Sequence, residues 1–96
     1  MRFIYKERYL KQFDHFSRQE QVLIHETDRQ IRAYYTTHQA PFGLRLKHLY
    51  TKGPLKIFEA RATQATRIVW VEHADAVYFG LVGSHNEVKR YLRSLR

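Results

Sequence analysis

The run Phe58-Glu59-Ala60-Arg61, followed by Thr66-Arg67-Ile68-Val69-Trp70 and then by Val82-Gly83-Ser84-His85 leading to Tyr91, decides how this chain folds. β-Branched and aromatic residues alternating with polar ones, in short runs bounded by turn residues, read as strands. The full segments are Leu55 to Thr63, Thr66 to Glu72 and Ala76 to Val82, separated by Gln64-Ala65 and His73-Ala74-Asp75, which are connections of hairpin length. A three-stranded antiparallel meander is the expected result. Residues two apart on a strand share a face. Glu59 and Arg61 therefore lie together on one face, while Phe58, Ala60 and Ala62 point to the other. One face packs and the other is left for charge.

Towards the C terminus, Ser84 and Glu87 form a capping-box pattern ahead of Val88, Tyr91, Leu92 and Leu95, which predicts a short basic helix running from Asn86 to Arg96. Towards the N terminus, Thr51-Lys52-Gly53-Pro54 and Gln39-Ala40-Pro41-Phe42-Gly43 are turn signals. Between them Leu44 to Tyr50 begins to alternate, but Leu49 breaks the period, so the segment reads as a partly extended connector. Ser17 and Glu20 form a second capping box that opens a helix over 18–37, with Leu23, Ile24, Thr27, Ile31, Tyr34 and Tyr35 on its apolar face. A shorter helix from about Glu7 presents Leu10, Phe13 and Phe16. Phe3-Ile4-Tyr5 is a strand in need of a partner. The expectation is an α+β domain spanning 1–96: a strand, a helical hairpin packed on one sheet, a meander and a terminal helix.

At 96 residues, every core side chain counts, because a chain this short buries only somewhat more than about 60% of its unfolded surface. With 44% hydrophobic and 27% charged residues it has the composition of a folded domain and not of a disordered one. Seventeen Lys+Arg against nine Asp+Glu leave a net charge of +8, a field that favours polyanions such as nucleic acid or an acidic protein. No cysteine is present, which removes disulfides, thiolate nucleophiles and zinc–thiolate sites. No apolar run approaches the roughly 20 residues of a membrane span, and the first residues lack the apolar stretch of a signal peptide, so a soluble cytoplasmic protein with no membrane partner is expected.

The order strand, helix hairpin, meander and terminal helix, together with Gly43-Leu44-Arg45-Leu46-Lys47-His48-Leu49, Phe58-Glu59-Ala60-Arg61, Arg67-Ile68-Val69-Trp70 and Val82-Gly83-Ser84-His85, resembles the RelE/ParE superfamily of toxins from type II toxin–antitoxin systems. The resemblance covers nearly the whole chain. It implies one of two activities: RelE-like members are mRNA endoribonucleases acting in the A site of the small ribosomal subunit, and ParE-like members inhibit DNA gyrase and lack the nuclease residues. It also implies a cognate antitoxin as partner. In the RelE-like pattern charged residues stand on the first meander strand, an arginine opens the second, a basic residue follows the last, and a tyrosine sits on the terminal helix. Glu59, Arg61, Arg67, His85 and Tyr91 fill these places. The sequence departs from the lysine-rich RelE pattern in having Glu59 and His85, and in this it is more like relatives that use carboxylate and histidine.

Cleavage of RNA by its own 2′-hydroxyl needs a base, cations for the phosphate oxygens and an acid for the departing 5′-oxygen, with no metal or other cofactor required. Histidine exchanges protons near neutrality, which makes His85 the preferred acid and Glu59 the base. Arg67, close across the hairpin, offers a planar fork for phosphate. Each residue also has a purely structural alternative: a Glu59–Arg67 cross-strand pair, a helix-start histidine, and a Tyr91 that packs the terminal helix on the sheet. Arg45, Lys47, His48, Lys52 and Lys56 form a basic approach, read as phosphate-positioning residues. The six histidines show no i, i+3 or i, i+4 pair, so a metal site is not expected. A non-catalytic nucleic-acid-binding domain is the remaining class.

Overall fold

The computed structural model describes residues 1–95; Arg96, the last residue of the expected terminal helix, lies outside them. The elements in chain order are β1 (Arg2–Tyr5), α1 (Glu7–Asp14), α2 (Arg18–Thr37), a 3₁₀ turn (Phe42–Leu44), β2 (Lys47–Lys52), β3 (Leu55–Arg61), β4 (Arg67–His73), β5 (Ala76–Gly83) and α3 (His85–Ser94). The strands form one five-stranded sheet in the order β1-β5-β4-β3-β2. β1 runs parallel to β5, and the other neighbours are antiparallel. The α+β class is as expected, with the meander one strand longer. The segment read as a connector supplies β2, and Leu49 breaks its alternation because a bulge falls between His48 and Tyr50. One inserted residue shifts the pleat by one, which period counting reads as loss of strand.

Both capping boxes form, with Ser17 and Ser84 each accepting from the backbone N–H three residues on. α2 has 20 residues and is therefore about 30 Å long, enough to carry the chain across a five-stranded sheet roughly 19 Å wide. It thus joins β1 on one edge to β2 on the other. β1 stops where Tyr5 meets Phe79, leaving the second half of β5 without a strand on that side. α1 covers the gap: the Lys6 N–H donates to the Phe79 carbonyl at 2.9 Å, and Gln12 Oε1 accepts from the Val82 N–H at 3.2 Å.

Hydrophobic residues pack on both faces of the sheet. Tyr9 of α1 and Ile24 and Ile31 of α2 share a core with Ala60, Ile68, Trp70, Val77, Phe79 and Val82 of the sheet, all buried. Trp70 donates its indole N–H to the Tyr35 hydroxyl at 2.7 Å. On the other face Ile57, Val69 and Leu81 pack against Val88 of α3, with Tyr91, Leu92 and Leu95 beside them. Two expected helix faces rotate. Tyr9, not Leu10, is the buried residue of α1, and Leu10 is 50% exposed; the Lys6–Phe79 bond sets the phase so that Tyr9, Phe13 and Phe16 face inward at i, i+4, i+7 spacing. In α2, Leu23 is exposed and Asp28 is buried, because Tyr5 reaches the Asp28 carboxylate and donates to it at 2.6 Å.

Candidate functional site

The α3 face of the sheet carries the odd-numbered side chains of β3, so Glu59 and Arg61 stand beside Ile57 on the side opposite the helical hairpin. Strand register completes a charged row. Lys47 pairs with Glu59, Glu59 with Val69, Arg61 with Arg67, and Arg67 with Gly83. Arg45, Leu46, Lys47, Glu59, Arg61, Arg67 and His85 line one cavity of about 340 Å³. Of the five residues expected to carry chemistry, four meet here. His85 arrives because the Ser84–Glu87 capping box starts α3 at the end of β5. Gly83, opposite Arg67, lies against the capping carboxylate: a Cβ there would come 2.8 Å from Glu87 Oε1, so that side chain would have to shift.

Arg67 Nε lies 3.7 Å from Glu59 Oε2, and the two side chains are only 14% and 16% exposed. The cross-strand pair anticipated as a structural alternative therefore exists. At that distance it is an ion pair without a normal hydrogen bond. Arg61 and Arg67 make no side-chain hydrogen bond among the described residues, and they face one another directly across the β3–β4 ladder. Like charges directly opposite are unfavourable in a sheet. With Arg45 and Lys47 also present, four cations surround a single carboxylate. An anion between the guanidinium groups would remove that repulsion and gain charge-assisted, bidentate hydrogen bonds.

The remaining expected residues are dispersed. Tyr91 is not in this cavity: it lies over Gly80 and beneath the Arg8 guanidinium, 5.5 Å from the ring centroid, in a separate cleft between α1 and α3. Burial on this packing face pushes its hydroxyl pKa up. His48 points to the helical face, its ring 4.9 Å from Phe58, and Lys56, three residues from Glu59, also falls on the face away from the cavity. Lys52 turns to the end of α3 and donates to the Leu95 carbonyl. Of the expected basic approach, only Arg45 and Lys47 line the cavity. Among the described residues no three His, Asp or Glu side chains cluster as metal ligands.

No family model matches the chain, and no curated protein matches it by sequence. Solved structures do. A copper-bound mutant toxin from Helicobacter pylori superposes with a TM-score of 0.68 at 18% identity, covering 92% of this chain and 98% of that one. A chain of the archaeal RelE–RelB complex from Pyrococcus horikoshii gives 0.67 at 14% identity over 86% and 92%. The YoeB/ParE toxin from Agrobacterium tumefaciens gives 0.63 at 16% identity over 88% and 99%. The arrangement of helical hairpin, mixed sheet and terminal helix is thus a known architecture: this chain has the fold of these RelE and YoeB/ParE toxins.

Proposed function

We propose that this chain is the toxin of a toxin–antitoxin pair and acts as an endoribonuclease on mRNA, in the ribosomal A site of the bacterial cytoplasm. The observation that carries this reading is the convergence of Glu59, Arg61, Arg67 and His85 on one cation-rich cavity. Glu59 takes the proton of the 2′-hydroxyl, whose oxygen attacks the adjacent phosphorus. Arg61 and Arg67 hold the non-bridging oxygens as negative charge builds. His85 gives a proton to the departing 5′-oxygen. The products are a 2′,3′-cyclic phosphate and a free 5′-hydroxyl, and no step needs a metal. Before RNA arrives, Arg67 rests against Glu59; phosphate draws the guanidinium away and leaves the carboxylate free to act as base. An acidic antitoxin segment suits the +8 charge of the chain.

The test is to express the chain in bacteria and follow mRNA integrity beside gyrase-dependent DNA damage. Rapid mRNA loss that disappears in Arg67→Gln supports the nuclease. DNA damage with intact mRNA would move the chain to the ParE-like class of gyrase inhibitors, and neither effect would leave a non-catalytic binding domain.

A further inference from the structure

Two cavities of about 290 Å³ and 270 Å³ share Gln12 and Glu87 and together make a groove between α1 and α3. We infer that this groove is a second phosphate site, formed by Arg8, Gln12, Arg90 and Tyr91, for another backbone phosphate of the RNA held at Arg61 and Arg67. It rests on the nuclease reading above.

Several helix carboxylates are already engaged with other cations. Glu7 pairs with Lys11, Glu26 with Arg29 and Asp28 with Arg32, whereas Arg8 and Arg90 have no ion-pair partner among the described residues. Among the described residues Glu87 is the one carboxylate lining the groove, and its Oε1 accepts the Ser84 N–H at 2.9 Å. Gln12 spends its Oε1 on the Val82 N–H, so the unused atoms of its amide are donors. The Tyr91 hydroxyl has no partner among the described residues, and its ring holds the Arg8 guanidinium in place by a cation–π contact. Two guanidinium groups and an amide N–H, with Tyr91 beneath Arg8, form a mainly donor surface suited to an anion with several acceptor oxygens.

A protein segment would need an apolar anchor. The groove's apolar lining is Leu81 and Val82, both buried in the sheet, and the half-buried Phe16, which lies in the cavity away from Arg8 and Arg90. None of the exposed large apolar residues, Met1, Leu10, Val22, Leu23 and Phe42, lines it. Backbone phosphate needs no such anchor. His85 and Arg90 lie on opposite flanks of α3, five residues and so about 8 Å of rise apart, which lets one strand passing over the start of α3 reach both sites.

The experiment titrates RNA fully 2′-O-methylated, and therefore uncleavable, into isotope-labelled protein and follows the guanidinium N–H signals of Arg8 and Arg90 beside those of Arg61 and Arg67. Both pairs should shift over the same RNA concentrations. Arg90→Gln, an exposed change that spares the packing of α3, should lower affinity and reduce the logarithmic salt slope by roughly 0.7. A response at Arg61 and Arg67 alone, or an unchanged slope in Arg90→Gln, would overturn the second site. A response at Arg8 and Arg90 alone would keep the groove and remove the cleavage site instead. If RNA moves neither pair and an acidic peptide moves Arg8 and Arg90, the groove binds protein carboxylates and the inference is wrong.

Discussion

Arg61 and Arg67 stand opposite one another with one carboxylate nearby, an unfavourable pairing of like charges that a bound phosphate, as proposed, would relieve. Removing one of these charges should therefore spare the fold and cost activity. Arg67→Gln and His85→Ala should each leave the melting temperature within a few degrees of wild type and cut RNA cleavage by at least about 10²-fold. Cleavage near the wild-type rate in both would exclude this cavity as the site. Asp28 gives a prediction of a different kind. Burial raises its carboxyl pKa, against the Tyr5 hydrogen bond and the Arg32 charge, which both lower it. The folded protein thus keeps a proton on Asp28 at pH values where the unfolded chain, ionising near about 3.9, has lost it. This group's contribution to stability falls as pH rises from the unfolded pKa through the folded one. Denaturant midpoints of wild type minus Asp28→Asn should decline across that window, and a rising difference would contradict the assignment. The placement of Glu59, Arg61, Arg67 and His85 was legible in the sequence because strand alternation and a capping box fix their directions. Asp28 was not legible, since its burial depends on Tyr5, 23 residues away.

At the scale of elements, α3 does two jobs: it closes the second core and brings His85 to the cavity. Its start depends on the Ser84–Glu87 capping box. Ser84→Ala should cost about 0.5–2 kcal/mol and lower cleavage as well, because the first helical residue is His85 itself. Denaturant melts and cleavage rates check both parts; a loss of stability with unchanged cleavage would separate His85 from the chemistry. Among the described residues the far end of α3 is held by Tyr91, Leu92 and Leu95, all half-buried, by the Arg8 guanidinium over Tyr91 and by the Lys52 contact. Its amides should exchange hydrogen faster than those of Ile68 to Val71 in β4, and equal protection would show that α3 opens only with the whole sheet. Helix starts and the β3–β5 meander were readable because caps, turns and alternation are local. β2 was missed because the bulge at Leu49 shifts its pattern. Of the two placements open for Tyr91, the structure takes the one that packs the terminal helix on the sheet; helical spacing gives a direction around α3 but not which neighbour lies there. Arg8, from α1, is that neighbour.

For the whole molecule, the fold assigns one sheet face to packing against the helical hairpin and divides the other between α3 and a cationic cavity. On the proposed function the +8 charge would act on approach, and affinity for RNA or ribosomes should fall steeply with salt. The double variant Lys47→Gln, Lys52→Gln should flatten that slope by only one contact, roughly 0.7–0.9, since Lys47 faces the cavity and Lys52 faces the end of α3. A slope reduced by two contacts would place both lysines on the RNA. The most direct test of the central claim is the chemistry of the broken ends in mRNA recovered from programmed ribosomes treated with the purified chain. Attack by the 2′-hydroxyl predicts a 5′-hydroxyl on every downstream fragment and a cyclic or opened phosphate on the upstream one, both absent with Arg67→Gln. Fragments with 5′-phosphate and 3′-hydroxyl ends, or uncut mRNA, would contradict it.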